Sequence, residues 1–89
     1  MQFKVIKIID GDTFEVLPMW KWNGHEGNIV RPTGYNAPEW GQLGFHVAKQ
    51  KLENLILSKH VELRNPIKLT FKRLLCDVYY EGRNLASYF

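Results

Sequence analysis

The chain has 89 residues, 12 Lys and Arg against 9 Asp and Glu, and a net charge of +3. With 45% hydrophobic and 24% charged residues, it has the composition of one small globular domain rather than of a disordered chain, and no apolar run approaches membrane-spanning length. One cysteine, Cys76, excludes an internal disulfide framework and a cysteine-built metal cluster.

Phe3 to Ile9 alternates like a strand, and Thr13 to Leu17 reads as a second, joined by the turn signal Asp10-Gly11. The opening residues lack the apolar h-region and cleavage site of a signal peptide, which leaves a cytoplasmic location, or secretion of a trimmed chain, both open. Beyond Pro18, Met19 to Gly24 reads as an aromatic-rich strand end and a turn. A third strand passes through Ile29, Val30 and Arg31 and closes near Gly34, with Pro32 predicting an edge or a bulge. Asn36 to Gly44 is a loop. From Phe45 to Ser58, Ala48, Leu52, Leu55 and Ile56 fall on one helical face, leaving Lys49 and Lys51 to a solvated face, as for Lys59 just beyond.

His60 to Arg64 alternates as a fourth strand that stops at Asn65-Pro66, and Lys72 to Tyr80 makes a fifth, ending at the turn Glu81-Gly82. Asn84 is placed to cap a helix that begins at Leu85 and is cut short at Phe89. Five short strands with one helix between the third and fourth fit a mainly β Greek-key barrel of the OB type, one domain over residues 1–89. Pattern alone leaves other five-stranded folds open.

The chemistry lies at the element ends. Asp10-Gly11-Asp12-Thr13, Arg31, Asn36-Ala37-Pro38-Glu39 and Arg73 supply hard oxygen ligands, a spare carboxylate and two guanidinium forks. Those parts can hold a cation and a phosphodiester together, stabilise charge in a phosphorane-like transition state and align water. The bland alternative is an Asp-Gly hairpin turn, a polar loop entering a helix and two surface arginines. Trp20, Trp22 and Trp40 fit a base-stacking platform as well as they fit core or hairpin packing. His25, His46 and His60 show no ligand spacing, and Cys76 alternates with Leu74 and Val78 as a buried core residue.

The series Ile9-Asp10-Gly11-Asp12-Thr13, Val30-Arg31-Pro32-Thr33-Gly34-Tyr35-Asn36-Ala37-Pro38-Glu39 and Lys72-Arg73-Leu74-Leu75 resembles the staphylococcal nuclease-like (thermonuclease) family. Its members show a D-G-D-T turn, a V-R-L-x-G-I-D-A/T-P-E loop entry and a G-R-x-L-A strand, and the match runs in order along nearly the whole chain. The resemblance implies an OB barrel and a calcium-dependent nuclease that acts on DNA and RNA and leaves 3′-phosphate ends. It implies Asp12, position 36 and the Ala37 carbonyl as calcium ligands, Arg31 and Arg73 as phosphate-gripping groups, and Glu39 as the residue that positions or deprotonates water. Phe71 and Lys72 would then touch substrate, the partner would be single-stranded DNA or RNA with no membrane, and the protein would act as a monomer.

The departures are specific. Asn36 stands where the family pattern has Asp, which weakens the expected calcium site by one charge. Pro32 replaces an apolar strand residue, Lys72 replaces glycine, and Phe71 stands where a nucleotide-contacting tyrosine often sits. The family's C-terminal helices are missing beyond Phe89. A non-catalytic nucleic-acid- or protein-binding module on the same barrel is the rival expectation.

Overall fold

Apolar alternation sets the first strand and a bulge resets it. The computed structural model describes residues 2–89, in which β1 (Gln2–Asp10) buries Phe3, Val5 and then Ile8. The step from two to three residues falls where the pairing with the next strand shifts between Val5 and Lys7, so the extra residue rotates the face back toward the core. β2 (Thr13–Trp22) buries Phe14, Val16 and Trp20. It does not end at Leu17 as expected, but runs on through the cis Leu17–Pro18 peptide. The two-residue turn Asn23-Gly24, with φ of 55° and 80°, returns the chain as β3 (His25–Pro32), the twist-matched conformation that Asn-Gly favours.

The helix α1 (Phe45–Ile56) buries Phe45, Leu52 and Ile56 and ends two residues before the expected Ser58, where Ser58 turns to φ 66°. β4 (His60–Thr70) passes the expected stop at Asn65-Pro66, because a register shift between Arg64 and Lys68 absorbs both residues while pairing with β5 (Arg73–Tyr80) resumes beyond them. A two-residue β6 (Arg83–Asn84) follows. Asn84 does cap what comes next, its Oδ1 accepting from the Ala86 N–H at 2.9 Å, but the element is a single 3₁₀ turn, Leu85–Tyr88.

The strand order β3-β2-β1-β4-β5 closes on itself through a parallel pairing of β3 with β5, giving a closed five-stranded barrel of OB type with β6 appended to β5. Pro32 meets the edge expectation on one side, where pairing with β2 stops at Val30, and is covered by β5 on the other. It is fully buried at the last position of that closure, opposite Cys76, and the ladder continues past its missing N–H through Thr33 N–H to Cys76 O at 3.0 Å. Inside the barrel Phe14, Val16, Val30, Val78 and Cys76 meet Leu52 and Ile56 of α1, and Leu85. Each of these large apolar side chains contributes about 1.5–3 kcal/mol through burial. Burial pushes the Cys76 thiol up to about 12, with the Asp77 charge adding to the shift, so it stays a protonated packing group.

Candidate active site

Four separate segments converge on one cleft of about 530 Å³. The β1–β2 turn brings Asp10 and Asp12, β3 brings Arg31, the loop before α1 brings Asn36, Ala37, Glu39 and Gln42, and the β4–β5 hairpin brings Lys68, Thr70 and Arg73. All three predicted catalytic residues and all three predicted metal ligands line it.

Asp12 is the hub. Its side chain is 8% exposed, and Oδ2 accepts from Arg31 Nη2 at 3.1 Å and from the Ala37 N–H at 3.1 Å. The second Nη2 hydrogen of Arg31 goes to Asn36 Oδ1 at 2.7 Å. A guanidinium carries five N–H donors, so among the described residues Nε and Nη1 of Arg31 remain without a protein partner. Arg73 uses its Nε on Thr70 O at 3.3 Å, which leaves its terminal nitrogens for another acceptor. Two guanidinium forks thus present donors to one cleft, the arrangement suited to a phosphate.

Burial raises the Asp12 pKa above the ordinary carboxylate range, helped by hydrogen bonding and repulsion from the Asp10 side chain, and opposed by the Ala37 N–H and by Arg31. Asp10 is a turn-former as well, its Oδ1 accepting from the Asp12 N–H at 3.0 Å. A carboxylate that is short of water and next to a second carboxylate is a seat for positive charge. The oxygens the resemblance implies as ligands, the Asp12 carboxylate, Asn36 Oδ1 and the Ala37 carbonyl, belong to residues that line this cleft and are hard donors that fit a calcium-like ion in type. Asp12 Oδ1 has only a long 3.5 Å contact with the Thr13 hydroxyl and is the oxygen freest to take up a ligand. Asp10, Asp12 and Glu39 share the cleft, but among the described residues no three His, Cys, Asp or Glu stand close enough together to hold one metal ion, so such an ion would have one charged ligand and depend on amide, carbonyl and water oxygens.

The linear pattern gives several supporting residues no site role. Tyr35 donates its hydroxyl to Gly11 O at 3.0 Å, and burial, then Asp12 and Asp10, hold that phenol protonated by raising its pKa. Gly11 is a close approach: a Cβ there would lie 2.6 Å from Ala37 Cβ and 2.8 Å from Ala48 Cβ, so loop and helix press directly on the turn. Gln42 fixes Glu39 from both sides, its Oε1 accepting from the Glu39 N–H at 2.6 Å while its own N–H reaches Glu39 O at 2.9 Å. The three-residue spacing around Gly41 was the available hint.

Phe71 and Lys72 form the tip of the β4–β5 hairpin, both at positive φ (51° and 64°). Phe71 is almost fully exposed with the Arg73 guanidinium 6.0 Å from its ring, and Lys72 lines a different depression beside Trp20 and Gly27. The three tryptophans do not make one platform. Trp20 is buried, covers Gly27 and donates Nε1–H to Ile29 O at 3.0 Å; Trp22 packs against the core; Trp40 stands in the loop, 77% exposed. Among the described residues no helix is long and apolar enough to cross a membrane.

No protein-family model matches the chain. Over 82 residues it is 34% identical to a protein of Haemophilus influenzae (strain ATCC 51907 / DSM 11121 / KW20 / Rd) described as an uncharacterized endonuclease. The similarity takes in 92% of this chain and 44% of that relative, so the chain spans less than half the length of the protein it resembles.

Proposed function

We propose that this barrel is the catalytic domain of a divalent-metal-dependent nuclease, calcium being the expected ion, that hydrolyses phosphodiester bonds in DNA or RNA and leaves 3′-phosphate ends. The observation that carries the reading is the convergence of Asp12, Arg31, Glu39 and Arg73 from four segments onto one cleft. The name of the Haemophilus influenzae relative points the same way.

Charge balance supports a metal. Asp10, Asp12 and Glu39 oppose Arg31, Lys68 and Arg73 in the cleft, which leaves it neutral before substrate enters. A phosphodiester brings one negative charge and a pentavalent phosphorane two. A divalent cation on Asp12, Asn36 and the Ala37 carbonyl would cancel the second state and polarise a phosphoryl oxygen. The chain's own groups do the rest. Arg31 and Arg73 grip the non-bridging oxygens and hold phosphorus in place, and Glu39, exposed at the cleft mouth, accepts a proton from water as its oxygen bonds to phosphorus. The bond from phosphorus to the 5′-oxygen breaks, and that oxygen takes a proton from solvent.

The test is cleavage of end-labelled single-stranded DNA in excess calcium, with EDTA and Glu39→Gln as controls. Glu39→Gln is expected to lower the rate by about 10²-fold or more, and an unchanged rate removes Glu39 from its role. One observation favours a non-catalytic binding module instead: the uncharged Asn36 accepts from Arg31 where a second carboxylate would strengthen metal binding. Metal-independent oligonucleotide binding without cleavage by the folded protein would select that reading.

A further inference from the structure

We propose that Trp40 is a nucleobase-stacking site, taking the base of a nucleotide that adjoins the phosphate held by Arg31 and Arg73. This deepens the nuclease reading and rests on it for the position of the phosphate.

The three tryptophans differ in what they leave open. Trp20 is spent on the core and Trp22 packs on it, whereas Trp40 is 77% exposed. Exposure alone would mean little, but this ring is held. Trp40 meets Phe45 nearly perpendicular at 5.3 Å and His46 at 6.0 Å, and Phe45 is itself buried at the start of α1. The backbone beneath is fixed by the paired hydrogen bonds between Glu39 and Gln42 and by the Phe45 N–H to Gln42 O contact of 3.2 Å. A flat, anchored, water-facing ring loses little conformational freedom when a second ring stacks on it.

Its place in the chain selects the ligand. Trp40 directly follows Glu39, so its backbone is one Cα step, about 3.8 Å, from that of a residue lining the phosphate-ready cleft. A ligand with an anion in that cleft and a flat aromatic group beside it is a nucleotide, and every base offers a π-face. Leu43 and Val47, close by in sequence, are 99% and 74% exposed. A base must leave its duplex partner and neighbours to reach the indole, so the site favours single strands over duplex.

Short end-labelled thymidine oligonucleotides and matched oligonucleotides with abasic sites, titrated in EDTA, test this, with affinities read from the anisotropy of the label and stacking from the wild-type indole fluorescence. Wild-type emission should be quenched by the thymidine oligonucleotide and little by the abasic one. Trp40→Ala should bind the thymidine oligonucleotide about tenfold more weakly, as expected for loss of one stacked base, with Trp40→Phe retaining most of the affinity and all proteins binding the abasic strand alike. Equal thymidine affinity in wild type and a folded Trp40→Ala overturns the proposal, as does an equal loss on the abasic strand, which would mark Trp40 as a general apolar contact. A Trp40→Ala that fails to fold leaves the decision to the wild-type base-dependent quench and to Trp40→Phe. Cleavage assays on the same strands separate the two readings. Base-dependent stacking without cleavage sinks the nuclease and keeps the site, whereas cleavage with no change of KM in Trp40→Ala sinks the site and keeps the nuclease.

Discussion

Replacing Gly11 by alanine tests how the site is held together, because the methyl lands between two elements that cannot yield by side-chain rotation. The new Cβ would stand 2.6 Å from Ala37 Cβ and 2.8 Å from Ala48 Cβ, against a usual carbon–carbon separation of about 3.5–4.0 Å. Both neighbours are methyl groups fixed to backbone, and Ala48 is tied to α1, whose Leu52 and Ile56 are fully buried. The Ala37 loop is the part able to move, and moving it pulls the Ala37 N–H from Asp12 Oδ2. Overpacking of this kind costs about 1–3 kcal/mol, and the strained charge-assisted hydrogen bond adds to it. The lower unfolded-state entropy of alanine returns about 0.4–1 kcal/mol. The net expectation is a loss of about 2 kcal/mol, which in urea is a midpoint lower by roughly 2 M at a slope near 1 kcal/mol/M.

A double-mutant cycle gives the contact its own measurement. Ala37→Gly should be mildly destabilising in the wild-type background and less so, or stabilising, beside Gly11→Ala, with a coupling of at least about 0.5 kcal/mol. Since Asn36 and Glu39 flank Ala37, the single variant should lose activity well beyond its loss of folded protein, as a displacement near 1 Å can cost about 10²-fold. An unchanged or raised urea midpoint, or strictly additive effects, would show that the turn has slack and that the close approach does not position Asp12.

Asn36→Asp restores a formal charge beside Asp12. At about 4 Å in a water-like dielectric two unit charges interact by about 1 kcal/mol, so a divalent ion should gain about 2 kcal/mol, or more than tenfold in affinity, less what the new carboxylate spends on Arg31. Calorimetry showing equal or weaker calcium binding in the folded variant would refute it. Asp77 governs part of the acid response: hydrogen bonds from Asn65 and then Thr33 lower its pKa below the ordinary 3.8. A depressed carboxylate contributes stability that is present above 3.8 and lost as pH falls through its folded value. The stability gap between wild type and Asp77→Asn in urea should therefore be widest near neutrality and close on acidification below 3.8; a gap independent of pH would exclude the charge as its source.

What was legible in the sequence is what local chemistry decides. Phe3 and Val5 alternate, Leu52 and Ile56 repeat at four, Asn-Gly turns, Asp12, Arg31 and Arg73 sit near strand ends, and Asn36 and Glu39 lie in the loop between β3 and α1. The misses came where distant pairing overrode local punctuation. Asn65-Pro66 ends a strand on its own terms, yet β5 pairs on both sides of it and turns it into a bulge. Trp20 and Trp40 look alike in a pattern, but only the β2–β3 pairing puts Trp20 over Gly27, while Trp40 falls in a loop with no strand to cover it.

The parallel closure of β3 on β5 is the extreme case of such pairing and explains why the site exists only in the closed barrel. It sets Ile29 against Arg73 and Arg31 against Leu75, joining strands more than 40 positions apart in a register no window of sequence contains. Arg31 and Arg73 then lie two register steps apart on neighbouring strands, side chains on one face of the sheet, as the period of a strand demands. A slip of one residue would turn one guanidinium to the opposite face. The fully buried pair Pro32 and Cys76 at the end of the same ladder opposes that slip, since the alternative register would expose one and bury a polar neighbour. The packing that closes the barrel is thus the same packing that aims both arginines into the cleft.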